Sequence, residues 1–155
     1  MLEHYYYEKE IKVLNRNRIR YLVIGGMAVN LYGIHRFTRD LDLMIDLSED
    51  HLQKFLKVIE HLDYFTKTPE SKWKELSAIA FLNRKDEDKR IDVFMKNPID
   101  FDRAYKKRKV FSAGNFRVPC VSLEDLLKLK TKADRLRDWI DIGSIKRMQE
   151  LKKNR

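Results

Sequence analysis

YLVIGGMAVNLYGIHRFTRDLDLMID, residues 21–46, begins as an apolar run, breaks at Gly25-Gly26 and later sets Asp40 and Asp42 among leucines. Burying an unpaired carboxylate is expensive, so two of them in an apolar run need a shared task. Side chains two residues apart on a strand point the same way, so Asp40 and Asp42 project together with Cα atoms roughly 7 Å apart. Leu41, Leu43 and Ile45 then face the core. The stretch reads as a strand over 20–24, a glycine pair, a short helix closed by Gly33, and a second strand over 40–45. RIDVFM, residues 90–95, places Asp92 between Ile91 and Val93 in the same manner. If the two acidic strands are neighbours, three carboxylates converge on one face.

The flanking sequence supplies layers for such a sheet. Residues 3–17 read as an amphipathic helix with Tyr6, Tyr7, Glu10, Ile11 and Leu14 on or beside one face. Ser48 caps a helix running to Leu62, with Glu49 and Asp50 in its first turn, where the helix dipole favours negative charge. AIAFLN (78–83) and RIDVFM form strands around the polar turn RKDEDK, and Pro98 opens another helix. KVFSA (109–113) and FRVPC (116–120) form a hairpin at Gly114-Asn115. SLED (122–125) is a capping-box pattern that opens a C-terminal helical region. The order predicts one α+β (α/β) domain over 1–155, with a core about 20–120 and C-terminal helices about 122–152.

Asp40, Asp42 and Asp92 offer oxygen ligands without His or Cys, which suits Mg²⁺ or Mn²⁺ rather than zinc. Two such ions about 3.5–4 Å apart can clamp the attacking and leaving oxygens of a phosphoryl displacement. A strand ending in Gly25-Gly26 at a helix N-terminus presents free N–H groups, and the missing side chains admit phosphate oxygens. Arg36, Thr38 and Arg39 precede the acidic strand and are candidates for phosphate or substrate contact. A glycine pair or an Asp-x-Asp strand is weak evidence alone; together and in this order they reinforce one another.

Strand, Gly-Gly, helix, Asp-Leu-Asp-Leu and a later apolar-Asp-apolar strand resemble the DNA polymerase β-like nucleotidyltransferase superfamily. Within it the chain resembles the compact branch near the AbiEii-type toxins and the minimal nucleotidyltransferases. KTKADRLRD supplies that branch's C-terminal helix motif through Lys130, Ala133, Arg135, Arg137 and Asp138, with Arg137 where relatives carry lysine. Gly26 stands where many relatives carry serine. The resemblance implies a nucleotidyltransferase fold and transfer of a nucleoside monophosphate from an NTP such as ATP to an acceptor hydroxyl. Asp40, Asp42 and Asp92 would be the catalytic, metal-ligating residues for two ions. Gly25, Gly26 and Lys130 would hold the triphosphate. The implied setting is a toxin–antitoxin or phage-defence module with an RNA or protein acceptor and a small helical partner protein. A small-molecule acceptor and a non-catalytic binding module are the alternatives.

Composition sets outer bounds. At 155 residues the chain can bury a core without staples. The single cysteine, Cys120, precludes an intramolecular disulfide and a Cys-rich zinc site and suits a reducing compartment. The first residues lack the apolar core of a signal peptide, and no run approaches the ~20 residues of a membrane span. A cytoplasmic protein with no membrane partner is therefore expected. The net charge of +9 fits an anionic partner but is spread among 24 Asp and Glu. KKRK at 106–109 is too short to define a nucleic-acid site by itself.

Overall fold

A computed structural model describes residues 6–35, 37–133 and 135–154. The strands are β1 (Tyr21–Ile24), β2 (Leu41–Ile45), β3 (Tyr64–Phe65), β4 (Ala78–Asn83), β5 (Arg90–Phe94), β6 (Lys109–Ala113) and β7 (Phe116–Cys120). The helices are α1 (Glu8–Arg16), α2 (Gly25–Leu31), α3 (Glu49–His61), α4 (Phe101–Lys106), α5 (Leu123–Ala133) and α6 (Leu136–Lys153), with a 3₁₀ helix at Glu70–Glu75. One seven-stranded mixed sheet runs β3-β4-β5-β2-β1-β7-β6. It is the expected α/β architecture.

β1 and β2 are antiparallel, with Ile24 opposite Asp42. β2 and β5 are parallel neighbours, with Asp42 opposite Asp92. The condition for convergence of the three carboxylates is thus met. Leu41, Leu43 and Ile45 are fully buried, as their alternation requires. Phe55 of α3 packs edge-on to Phe81 of β4 at 6.5 Å, which places α3 and its neighbour α1 on one sheet face. Ala80 points the opposite way. On that second face lie α2 and α5, and α6 packs on α5. Ala78 is exposed and Ala80 half-buried, so this face stays open over β4 and β5.

Several local expectations are corrected. The first helix begins at Glu8, and Tyr6 and Tyr7 precede it. Gly25 and Gly26 form the first turn of α2 instead of preceding it. Ser48 occupies the cap of α3 without a side-chain capping bond, and its N–H donates to the Asp46 carboxylate at 2.9 Å. α4 starts at Phe101, not after Pro98, and Asp100 caps it by accepting the Arg103 N–H at 2.9 Å. Only half of the SLED box forms: Ser122 Oγ accepts the Asp125 N–H at 3.1 Å, while the Asp125 carboxylate faces Lys107 at 3.3 Å. The hairpin at Gly114-Asn115 is as expected, with Ala113 opposite Phe116 and Gly114 at φ +63. A glycine at the first central position suits the tight two-residue loop.

Candidate active site

A cavity of about 710 Å³ lies on the open face, walled by β1, β2, β4, β5, α5 and α6. It gathers Gly25, Gly26, Thr38, Asp40, Asp42, Asp92 and Lys130. Of the remaining sequence candidates, Arg36 lies outside the described residues. Arg39 does not line the cavity; it is exposed, 3.8 Å from Asp88 and 5.8 Å from the Phe37 ring centre.

Asp42 sits at the centre of the carboxylates. Burial raises its pKa from 3.8 to about 7, and the charge and hydrogen bond of Asp92, then the charge of Asp40, push the same way. The positive charge of Lys130 opposes them. Asp92 is further tied to Arg90, whose Nε donates to its Oδ1 at 2.9 Å. Arg90 was missed in the sequence, although its place two residues before Asp92 on one strand puts both side chains on the same face.

The glycines make room first for the protein itself. Gly25 has φ +68, and a Cβ there would lie 2.1 Å from Asp42 Oδ2. A Cβ at Gly26 would lie 2.8 Å from Thr38 Oγ1 and 3.0 Å from its Cβ. Absence of side chains at 25 and 26 thus lets Asp42 and Thr38 close onto the first turn of α2. The crowding expected against a phosphate falls on these side chains before any ligand arrives.

Lys130 lines the cavity and is only 4% exposed. Its Nζ is 2.9 Å from Asp141 Oδ2 and 3.2 Å from Asp138 Oδ1. Arg135 Nε donates to Asp138 Oδ2 at 2.7 Å. Burial alone would raise the Asp138 pKa, but hydrogen bonds from Arg135 and Lys130 outweigh it and hold the carboxyl below its ordinary range. Arg137 also lines the cavity, and no carboxylate among the described residues pairs with it.

The frame is fixed from an unexpected direction. The Tyr7 hydroxyl, fully buried, donates to the Arg39 carbonyl at 2.5 Å and lies 3.1 Å from both N and O of Arg90. It stands where the β2–β5 ladder opens, beside Asp40 and two residues from Asp92. Nearby, Glu10 accepts from Tyr64 at 2.6 Å and from Lys89 at 3.0 Å, fastening α1 to β3 and to the residue that precedes β5.

Among the described residues no three His, Cys, Asp or Glu side chains stand in a finished metal-binding arrangement. The donor chemistry nevertheless fits a hard divalent cation. Three carboxylates line one cavity, and the pKa of Asp42 is raised by burial and then by its acidic neighbours, a shift that the charge of a bound cation would oppose.

The mixed sheet with its acidic strand pair and glycine turn has the fold of solved nucleotidyltransferases. Residues 13–155 match the family described as nucleotidyl transferase AbiEii toxin, type IV TA system, and the chain belongs to that family. Curated protein sequences give no match. Among solved structures, the lincomycin-bound lincosamide antibiotic adenylyltransferase LnuA is similar, with TM-score 0.64, 18% identity, and coverage of 89% of this chain and 92% of that one. ANT(2″)-Ia in complex with adenylyl-2″-tobramycin has TM-score 0.61 and 14% identity, over 92% and 86% of the two chains. An antigenic nucleotidyltransferase-like protein from Paracoccidioides brasiliensis has TM-score 0.59 and 21% identity, over 88% and 72%. No helix among the described residues is long and apolar enough to cross a membrane.

Proposed function

We propose that this chain transfers a nucleoside monophosphate from an NTP to an acceptor hydroxyl and releases pyrophosphate. The observation that carries this reading is the meeting of Asp40, Asp42 and Asp92 with Gly25 and Gly26 in one cavity of about 710 Å³. Asp40, Asp42 and Asp92 would hold Mg²⁺ or Mn²⁺, and bound cations supply charge neutralisation at the attacking and leaving oxygens. Asp92 orients the acceptor hydroxyl and takes its proton as the new O–P bond forms and the bond between the α- and β-phosphates breaks. N–H groups at the start of α2 face the phosphates, and Thr38 stands beside them. Arg137 is the cation available to the triphosphate, while Lys130 holds α6 against α5 through Asp138 and Asp141.

The family description supports a place in a toxin–antitoxin module; an RNA or protein acceptor and a small helical partner are part of the same proposal. The test is incubation with each α-labelled NTP and Mg²⁺, offered total RNA, purified proteins, the chain itself and small hydroxylated antibiotics in turn. Metal-dependent label transfer to one class is expected, and Asp40→Asn and Asp92→Asn should abolish it without unfolding the protein. Undiminished transfer by the Asp40/Asp42 double mutant, or no transfer to any acceptor, would sink the reading.

A further inference from the structure

A second cleft, of about 780 Å³, lies between α1 and the β6–β7 hairpin. Its lining includes Lys12, Arg16, Arg108 and Arg117, and no acidic side chain. Lys12 meets Glu8 at 3.1 Å and lies 5.6 Å from the Phe116 ring centre. Arg108 lies over Tyr105 with 4.0 Å to the ring centre, its Nη1 donates to the Tyr105 carbonyl at 2.8 Å, and no carboxylate among the described residues pairs with it. Arg16 and Arg117 are exposed, and no carboxylate among the described residues pairs with either. Lys109, at the head of the edge strand β6, is exposed alongside. This is where part of the KKRK run settles; its Lys107 is instead committed to Asp125.

We propose that this cleft grips the phosphodiester backbone of a nucleic-acid acceptor whose reacting end lies in the catalytic cavity. The role rests on the nucleotidyl-transfer reading; the binding itself does not. None of the residues lining the cleft lines the catalytic cavity. α1, one wall of the cleft, lies on the sheet face opposite that cavity. An acceptor that touches both must pass around the sheet, which a flexible single strand can do and a compact small molecule cannot. A protein partner would need an apolar centre to its interface, whereas Val110, at 44%, is the exposed large hydrophobic that the cleft offers among the described residues. Phosphates need only cations placed along their path.

The experiment is fluorescence anisotropy with a labelled unstructured RNA over a range of salt concentrations. Arg16→Ala/Arg117→Ala should bind roughly tenfold more weakly and flatten the salt slope by about 1.4, at about 0.7 for each lost phosphate contact on a single strand. Lys146→Ala/Arg147→Ala on α6 removes the same charge and should leave affinity and slope near those of the unmodified chain. Mn²⁺-dependent NTP binding should be unchanged in both. Equal losses in the two double mutants, or none in either, would overturn the cleft assignment. Binding of poly-glutamate but not RNA through Arg16 and Arg117 would overturn it in favour of an acidic protein. If the cleft mutants lose RNA binding and no acceptor is ever labelled, the cleft stands and the catalytic reading fails.

Discussion

Asp42→Asn should stabilise the metal-free protein, and only where the carboxyl would otherwise be ionised. The folded protein raises this group from 3.8 to about 7, mainly by burial and then by Asp92 and Asp40. The sign follows from linkage. The folded state holds the proton more tightly, so stability is lost as pH rises from about 4 to about 7, and the full penalty applies above that. The shift corresponds to about 4 kcal/mol at pH 8 and little at pH 4. For a domain of this size that is on the order of 10 °C in Tm. Differential scanning calorimetry in EDTA at pH 4.5 and pH 8 reads it directly: the mutant should melt well above the unmodified chain at the higher pH and close to it at the lower. Mn²⁺ should raise the melting point of the unmodified chain at pH 8 and leave the mutant almost unmoved. A mutant that melts lower at pH 8, or by the same interval at both pH values, would refute the reasoning.

Gly26→Ala should destabilise the fold before it touches nucleotide binding, since its Cβ would meet Thr38 Oγ1 at 2.8 Å; adding Thr38→Ala should recover part of the melting point. Lys130→Ala deprives two buried carboxylates of their shared ammonium and should lower stability by about 3 kcal/mol, measured by urea unfolding. Lys128→Ala, whose partner Glu124 is a surface neighbour at 3.3 Å, should change stability by less than about 1 kcal/mol; similar losses in the two would make Lys130 an ordinary surface lysine. Arg90→Gln releases Asp92 from its 2.9 Å bond, so calorimetric titration should show Mn²⁺ binding tightened a few-fold, and weaker binding would mean that Arg90 supports the site instead of competing for it.

The acidic strands could be read from the sequence because strand periodicity is strict. Once Asp40, Asp42 and Asp92 were placed among core residues, their common face followed, and only the pairing of β2 with β5 needed the fold. The ion pairs of Lys130 could not be read from the sequence, because local spacing gives its neighbours on α5 while Asp138 and Asp141 come from the next helix. The two-residue strand β3 and the 3₁₀ helix at Glu70–Glu75 carry too few residues for a periodic signal. Tyr7 looked like packing because a hydroxyl bound to backbone carbonyls leaves no trace in residue pattern.

That hydroxyl also dictates when the site can exist. Tyr7 reaches across 32 residues to Arg39 and 83 to Arg90, and the cavity's far wall waits for Lys130 and Arg137. A growing chain carries Asp40 and Asp42 early, yet their spacing to Asp92 has no clamp until β5 is made, and the chamber has no roof until α5 and α6 follow. Fragments ending before α5 should therefore be inert however well their strands pair. The cell meets the activity only as a finished product.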